Sequence, residues 1–307
     1  MAIPSSGTIS LAGIRAELAT NTYNASATTT ASLEDCSDGT VATINTGNAS
    51  GDRPNGSAPH AMSEFYAYDH DLSSFNDNIS FDFDGANDYL EGAGNLANAI
   101  SVSTGSISTW IKIDSMSANG LIWAINTEEG STDQIFLLWH NASGVVRSNF
   151  KGGNVANIAD SGSGLENDNT WHHFVVTWQA VSKASGNIIK IYQDGSLQDS
   201  DAIGTVFSGS PAIFGFGRNA LQNFGQNFNG HMNDMAIFND VLTSSEVSSI
   251  YNSGAPKDEA GHSGLIAYYT LEDYSDNDTT VADDADAGNN YSLTITNSTN
   301  IDSTDTP

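Results

Sequence analysis

The chain has 307 residues, enough to bury one large β domain or two ordinary ones. Its 37 acidic side chains against 9 basic ones give a formal net charge of −28, which repels phosphate backbones and anionic lipid and so argues against nucleic-acid and membrane partners. The single cysteine, Cys36, excludes a disulfide framework and a cysteine-based zinc site, and no apolar run approaches the ~20 residues of a membrane-crossing helix.

The opening "MAIPSSGTIS" lacks the basic start and apolar stretch of a secretory leader, so synthesis and assembly in a cytoplasm are expected. Residues 1–75 read as a first module. In "ISLAGIRAEL", Leu11, Ile14 and Leu18 recur at helical spacing behind Ser10 as N-cap, which predicts a short amphipathic helix. A Thr/Ala/Asn/Gly-rich stretch of little periodicity follows over 19–58. "PHAMSEFYAYDHD" then supplies Met62, Phe65 and Tyr66 as a second apolar cluster. So small a module has little core of its own, and these six apolar residues are expected to need a partner.

Residues 76–255 change to a β pattern. "ISFDFDG" sets Phe81 and Phe83 on one face and Ser80, Asp82 and Asp84 on the other. "SISTWIKID" sets Ile107, Ile111 and Ile113 against Ser106, Ser108, Trp110 and Lys112. "GLIWAIN", "QIFLLWH", "WHHFVVTW", "IIKIYQDG", "AIFGFG" and "MNDMAIF" follow, with turn residues between them. Many short strands without intervening helices predict a sandwich. Near its end "TSSEVSSIYNSGAP" carries a capping box, Thr243 with Glu246, and stop signals at Gly254 and Pro256. Residues 256–307 add a strong strand, "GLIAYYTLED", and a weaker one, "YSLTITN", that complete or flank the sandwich.

"WHHFVVTW" invites a metal or acid–base reading. Alternation along a strand places Trp171, His173, Val175 and Thr177 on one face and His172, Phe174, Val176 and Trp178 on the other. The two histidines therefore cannot grip one ion, and they are read as structural groups that position a strand edge. Glycoside hydrolysis needs paired carboxylates at short spacing, and none of Glu91, Glu128, Glu129, Glu166 or Glu246 stands in such a pair. No catalysis is expected. Calcium is a candidate cofactor, because an acidic chain offers hard oxygen ligands and Asp82 and Asp84 share a face. The loop "DDADAGNN" resembles half a calcium loop without the closing Glu. For sugar recognition, Trp110 is the better aromatic platform because it stands opposite the isoleucines. Arg218 and Asn219, in a loop after "FGFG", are candidate hydrogen-bonding groups. Trp123, Trp139 and Tyr192 suit a core or a platform equally.

"FDGANDYLE", "SISTWIKID", "WHHFVVTW", "IKIYQDGSL", "FGFGRNA" and "FNGHMNDMAIFNDVLTSSEVSSIY" follow one another as in concanavalin A-like domains of the laminin-G/pentraxin type, and the resemblance covers roughly 78–255. It implies a mainly β fold, a two-sheet antiparallel jelly-roll sandwich, here with a small irregular N-terminal module containing short helices. It also implies calcium near the rim, with Asp84 and Asp234 standing close to such positions beside Asp82. "MAIPSSGTISLAGIRAEL" followed by "PHAMSEFYAYDHD" is similar to the leader of many tailed-phage structural proteins. This second resemblance implies a tail- or fibre-associated virion component, anchored to other virion proteins through residues 1–75 and present as a symmetric homo-oligomer exposed on the particle. The alternative, compatible with it, is an adhesin for host cell-surface glycans; a glycosidase comes third.

Overall fold

The computed structural model describes the chain except residues 1–2, 21, 27–29, 46–52, 67, 69, 71–78, 93, 115–117, 128–132, 154, 166–168, 182–185, 208, 218–225, 272–277, 286–289, 297–300 and 303–304. It divides into two compact units, Met1–Asn76 and Asp77–Pro307. Among the described residues no helix is long and apolar enough to cross a membrane.

In the first unit, α1 spans Leu11–Thr20, and Ser10 caps it by accepting a hydrogen bond from Gly13 N on its hydroxyl at 3.0 Å. α2, Leu33–Ser37, carries a reciprocal capping box between Ser32 and Asp35, and a 3₁₀ turn spans Met62–Phe65. Ile3, Ile9, Ile14, Leu18, Cys36, Phe65 and Tyr68 pack into one buried cluster, with Leu11 and Tyr66 against its edge. Ile3 N donates to Tyr68 O at 2.8 Å and closes the unit's two ends together. The apolar residues expected to form an exposed anchor therefore form a core instead. Of the six, only Met62 is exposed, at 41%. Periodicity reports that a residue seeks burial but not against what, and here the unit satisfies its own stripe.

The second unit is a sandwich of two antiparallel sheets. The first runs in the order β10 (Ser196–Ala202), β9 (Ile188–Gln193), β8 (Trp171–Gln179), β3 (Thr104–Ile113), β12 (Asn229–Phe238), β1 (Ser80–Asp84) and β16 (Ile301–Asp302), with β13 (Leu265–Tyr269) also paired to β12. The second runs β14 (Thr280–Val281), β15 (Leu293–Thr296), β2 (Tyr89–Gly92), β11 (Ile213–Phe216), β4 (Gly120–Asn126), β5 (Gln134–His140), β6 (Val145–Gly152) and β7 (Val155–Asp160). β13 enters one sheet and β15 the other, so the C-terminal strands are woven into both layers.

Period-two alternation makes the core. Phe81, Phe83, Ile107, Ile111, Phe174, Val176 and Trp178 of one layer meet Trp123, Ile135, Leu137, Trp139, Phe150, Phe214 and Phe216 of the other. A helix not expected among the strands, α3 at Gly94–Ala99, lays the buried Leu96 and Ala97 on this core. Its sequence, "GNLANA", has neither a capping box nor a helical repeat long enough to announce it. β10, "SLQDSDA", is exposed along most of its length, so no alternation marked it. Its Asp201 and Asp199 accept hydrogen bonds from Ile158 N (2.9 Å) and Asp160 N (3.2 Å) of β7, satisfying backbone donors of a sheet edge.

α4, Ser244–Tyr251, starts at the expected Thr243–Glu246 capping box and ends at Asn252, whose φ of 47° is left-handed. It brings Tyr251 over the outer face of the first sheet, where the rings of Trp110 and Tyr251 stack at 5.8 Å. Part of that outer face is thus covered.

Candidate functional site

Two adjacent lateral rows of side chains on the outer face of the first sheet gather polar and aromatic groups, and the register decides what each contains. In one row Asn233 of β12 faces Trp110 of β3, which faces His173 of β8. In the next, Asp82 of β1 faces His231, His231 faces Lys112, and Lys112 faces Trp171.

The first row is closed. His173 is 1% exposed; its Nε2 lies 2.7 Å from Ser108 Oγ, and its ring stands 5.1 Å from that of Trp110. Burial pushes His173 down to about 3, against the weaker pull of Asp194, so it is neutral at neutral pH. His172 instead places Nδ1 2.7 Å from Asp194 Oδ2, while Asp194 Oδ1 accepts His173 N at 3.0 Å. Burial works against the Asp194 carboxylate, but the hydrogen bonds from His172 and His173 N outweigh it and hold its pKa below the ordinary value. Asp194 (φ 50°) and Gly195 (φ 74°) make the two-residue Asp-Gly turn between β9 and β10. The histidine pair thus fastens a hairpin turn to the middle of a sheet. It does not sit at a strand edge, because β8 lies between β3 and β9. Trp110 is 2% exposed beneath Tyr251, so it cannot serve as the expected platform. The alternation placed it on the outer face correctly; α4 then covers that face.

The second row is the candidate site. Of the five tryptophans, Trp110, Trp123, Trp139 and Trp178 are buried, and Trp171 is left half-buried. Asp305, near the C-terminus, reaches over this row. Its Oδ1 accepts Trp171 Nε1 at 2.9 Å, its Oδ2 pairs with Lys112 Nζ, and its backbone carbonyl accepts Ser80 Oγ at 2.7 Å. Burial disfavours the Asp305 carboxylate, but the hydrogen bonds from Lys112 and Trp171, with the Lys112 charge, hold its pKa below the ordinary value. Asp114, just past β3, joins the row: Asp82, Asp114 and His231 each present a ligand-capable atom, and these lie within 4.8 Å of one another. An aromatic ring, three carboxylates, a lysine and a histidine thus meet on one partly open patch. Such a mixture can stack on an apolar surface and hydrogen-bond around it, or hold a cation.

The residues expected to bind calcium do not converge. Asp82 belongs to the row just described. Asp84 Oδ1 accepts Ala86 N at 2.7 Å and shapes the turn after β1. Asp234 is buried on the half of β12 that pairs with β13, where its carboxylate accepts the Tyr268 hydroxyl. A bulge between Asn233 and Ala236, with Asp234 at φ 49°, sets that side chain beside Tyr268 of β13 instead of Asp82 of β1. In the acidic C-terminal loop, Asp283 accepts Tyr268 N and Tyr291 N, and Asp284 accepts Thr270 N and its hydroxyl, so both organise backbone. Arg218 and Asn219 lie outside the described residues.

Alternation along β8 gives Trp171 a face but no role, and no local motif marks Asp114, His231, Lys112 or Asp305. Alternation alone could place Asp82 and Lys112 on outer faces. Bringing Asp82 beside His231 depends on pairing strands about 150 residues apart, which no local pattern encodes.

A model of the concanavalin A-like lectin/glucanases superfamily, of the laminin-G type, matches residues 84–248, more than half of the chain. The chain belongs to that superfamily. No curated protein matches the sequence. Among solved structures, a candidate carbohydrate-binding protein from Bacteroides ovatus ATCC 8483 is similar at 17% identity and a TM-score of 0.52, covering 73% of this chain. The chain spans 59% of that structure's length. A heptameric SAP-like pentraxin from Limulus polyphemus (14% identity, TM-score 0.45) covers 59% of this chain and 86% of its own. The CBM40 of a Ruminococcus gnavus IT-sialidase, bound to α2,3 sialyllactose, has 15% identity and a TM-score of 0.45, covering 56% of this chain and 96% of its own. At these identities the likeness is one of fold.

Proposed function

We propose that the Asp77–Pro307 sandwich is a carbohydrate-binding, lectin-like module that acts without catalysis, and that its sugar face is the patch around Trp171. The observation that carries this reading is that Trp171, alone of five tryptophans, stays partly open, and it does so beside Asp305, Lys112 and His231. A sugar ring has an apolar C–H face that packs on an indole and a hydroxyl rim that needs donors and acceptors placed around it. The patch supplies both. The non-catalytic part rests on the carboxylates whose roles are accounted for: Glu246 accepts Thr243 N at 2.7 Å in its capping box, and Asp305 is tied to Lys112 and Trp171.

A glycan array probed with the full chain, with and without Ca²⁺, is expected to show binding that falls at least ~10-fold in Trp171→Ala, the scale of one lost aromatic anchor. Calcium is included because it is the cofactor the family resemblance implies. An array with no bound glycan in either condition would leave a purely structural role.

The finer reading is that the N-terminal unit mounts this module on a tailed-phage particle, at the tail or a fibre, in several symmetric copies with the sandwich exposed to host glycans. The leader resemblance supports it, and so does the separateness of Met1–Asn76, which has its own buried cluster. Because Ile14, Leu18 and Phe65 are spent inside that unit, the anchoring contacts are expected to come from its surface, not from its apolar stripe. Deleting residues 1–76 should abolish incorporation into particles while leaving a soluble sandwich. Incorporation of the truncated chain at normal copy number would refute the anchor.

A further inference from the structure

We propose, resting on the reading of the Trp171 patch as the sugar face, that Asp305 sets the class of sugar it takes. The Asp305 carboxylate fills the place where an acidic group of a ligand would be held, so the patch accepts neutral and amino sugars and rejects those carrying a carboxylate or sulfate. The two groups best suited to grip a ligand carboxylate here are the Lys112 ammonium and the Trp171 indole N–H. Both are engaged by the chain itself: Trp171 Nε1 donates to Asp305 Oδ1 at 2.9 Å, and Lys112 Nζ pairs with Asp305 Oδ2. Each oxygen meets a different donor, which is the arrangement a bound sugar acid would need. An indole has one proton to give, and it is spent on Asp305.

The rest of the patch is rich in acceptors. Among its described residues Lys112 is the one lysine or arginine, and it stands with the carboxylates of Asp82, Asp114 and Asp305. Lys112 is also the deeper partner of its pair, with a side chain 10% exposed against 26% for Asp305, so an approaching ligand meets the carboxylate first. His231 Nε2 lies 3.9 Å from both Asp114 Oδ2 and Asp305 Oδ2, so the imidazole too faces acids of the chain. A carboxylate accepts hydrogen bonds and cannot give them. Sugar hydroxyls give as well as accept, and an ammonium only gives, so both suit such a rim. A further carboxylate or sulfate brings acceptor to acceptor and like charge to like charge. The net charge of −28 adds a long-range repulsion of the same sign.

Asp305 is tied at its main chain as well as its side chain, because its backbone carbonyl accepts Ser80 Oγ at 2.7 Å. Burial disfavours its charge, but the hydrogen bonds from Lys112 and Trp171 outweigh burial and keep it a carboxylate at neutral pH. The competing course is displacement, in which a ligand carboxylate takes over Lys112 and Trp171 Nε1 while Asp305 swings aside. A ligand arriving from solution would then compete with a group held intramolecularly at high effective concentration. The displaced charge would also remain close by and repel it.

The full chain is tested against immobilised oligosaccharides in matched sets: lactose and N-acetyllactosamine with their sialylated and sulfated forms, and chitin oligomers with their deacetylated counterparts. In each set that binds, the neutral or amino member is expected to bind at least ~10-fold tighter than the acidic one. The gap should narrow at about 1 M salt, where the screening length falls to about 3 Å. In Asp305→Asn, which keeps the side-chain shape and removes the charge, the acidic-to-neutral affinity ratio should rise at least ~10-fold as Lys112 is released to the ligand. Circular dichroism reports whether the variant folds; if it does not, the parent ratio and its salt dependence decide. Equal or tighter binding of the acidic members by the parent, or a ratio unmoved in folded Asp305→Asn, overturns the role of Asp305 and leaves the Trp171 sugar face standing. Binding of no set, or binding indifferent to Trp171→Ala, removes the sugar face itself and this selectivity with it.

Discussion

The Glu259→Gln chain is expected to gain stability over the parent at pH 8 by about 3 kcal/mol more than it does at pH 4.5. Glu259 is 3% exposed, and its Oε1 has no hydrogen-bond partner among the described residues. Burial pushes its carboxyl up to about 7, with Lys257 pulling it down and Asp258 pushing it further up. A folded-state pKa above the unfolded value of 4.5 means that the native chain holds the proton more tightly. Glu259 therefore adds stability below pH 4.5 and loses it as pH rises through about 7. Glutamine keeps the shape without the charge and removes that dependence. Any fixed cost of burying the amide appears at both pH values and cancels in the comparison. Urea unfolding at the two pH values measures it, and a difference that does not change with pH would show that Glu259 is hydrated.

His173 acts with the opposite sign. Its folded-state pKa of about 3 lies below 6.5, so its contribution is full above pH 6.5 and is lost as pH falls toward 3. Between pH 6.5 and 4.5 the two groups oppose one another, and the parent chain should change little in stability there. In Glu259→Gln the decline should begin at about pH 6.5, at up to about 1.4 kcal/mol per pH unit.

Trp110→Ala is expected to cost about 3–5 kcal/mol of stability, the range for deleting a buried large aromatic. The indole is held between the rings of His173 (5.1 Å) and Tyr251 (5.8 Å), so its removal opens a cavity where α4 lies on the sheet. Denaturant titration gives the loss, and proteolysis near Tyr251 should become faster as α4 loosens. Trp171→Ala should behave in the reverse way, with a smaller effect on folding and the larger one on glycan affinity. A Trp110→Ala chain of near-parent stability with impaired sugar binding would restore Trp110 as a platform.

That reversal between two tryptophans shows where the sequence stopped being informative. Both stand on the outer face of the first sheet, as the alternation of Ile107, Ile111 and Ile113 and of Phe174, Val176 and Trp178 requires. Which of them stays open depends on α4, whose capping box was legible but whose resting place was not. The expected calcium ligands are spread apart for a related reason. Asp234 lies in a bulge, and one inserted residue redirects a side chain to another environment, here to Tyr268. The N-terminal stripe was correctly read as seeking burial, yet its partners Ile3, Cys36 and Tyr68 come from segments without periodicity.

The sequence by itself determined the layers: a side-chain period of two fixes which residues turn inward, and that information is local. Charge and composition likewise argued against nucleic acid and a disulfide scaffold without any coordinates. The tertiary structure decided the site, because Asp82, Lys112, Trp171, His231 and Asp305 come from five separate segments and become neighbours only through strand register and a returning C-terminus. Register is set by the fit of the whole hydrophobic pattern across the sheets, and it cannot be read from any one strand.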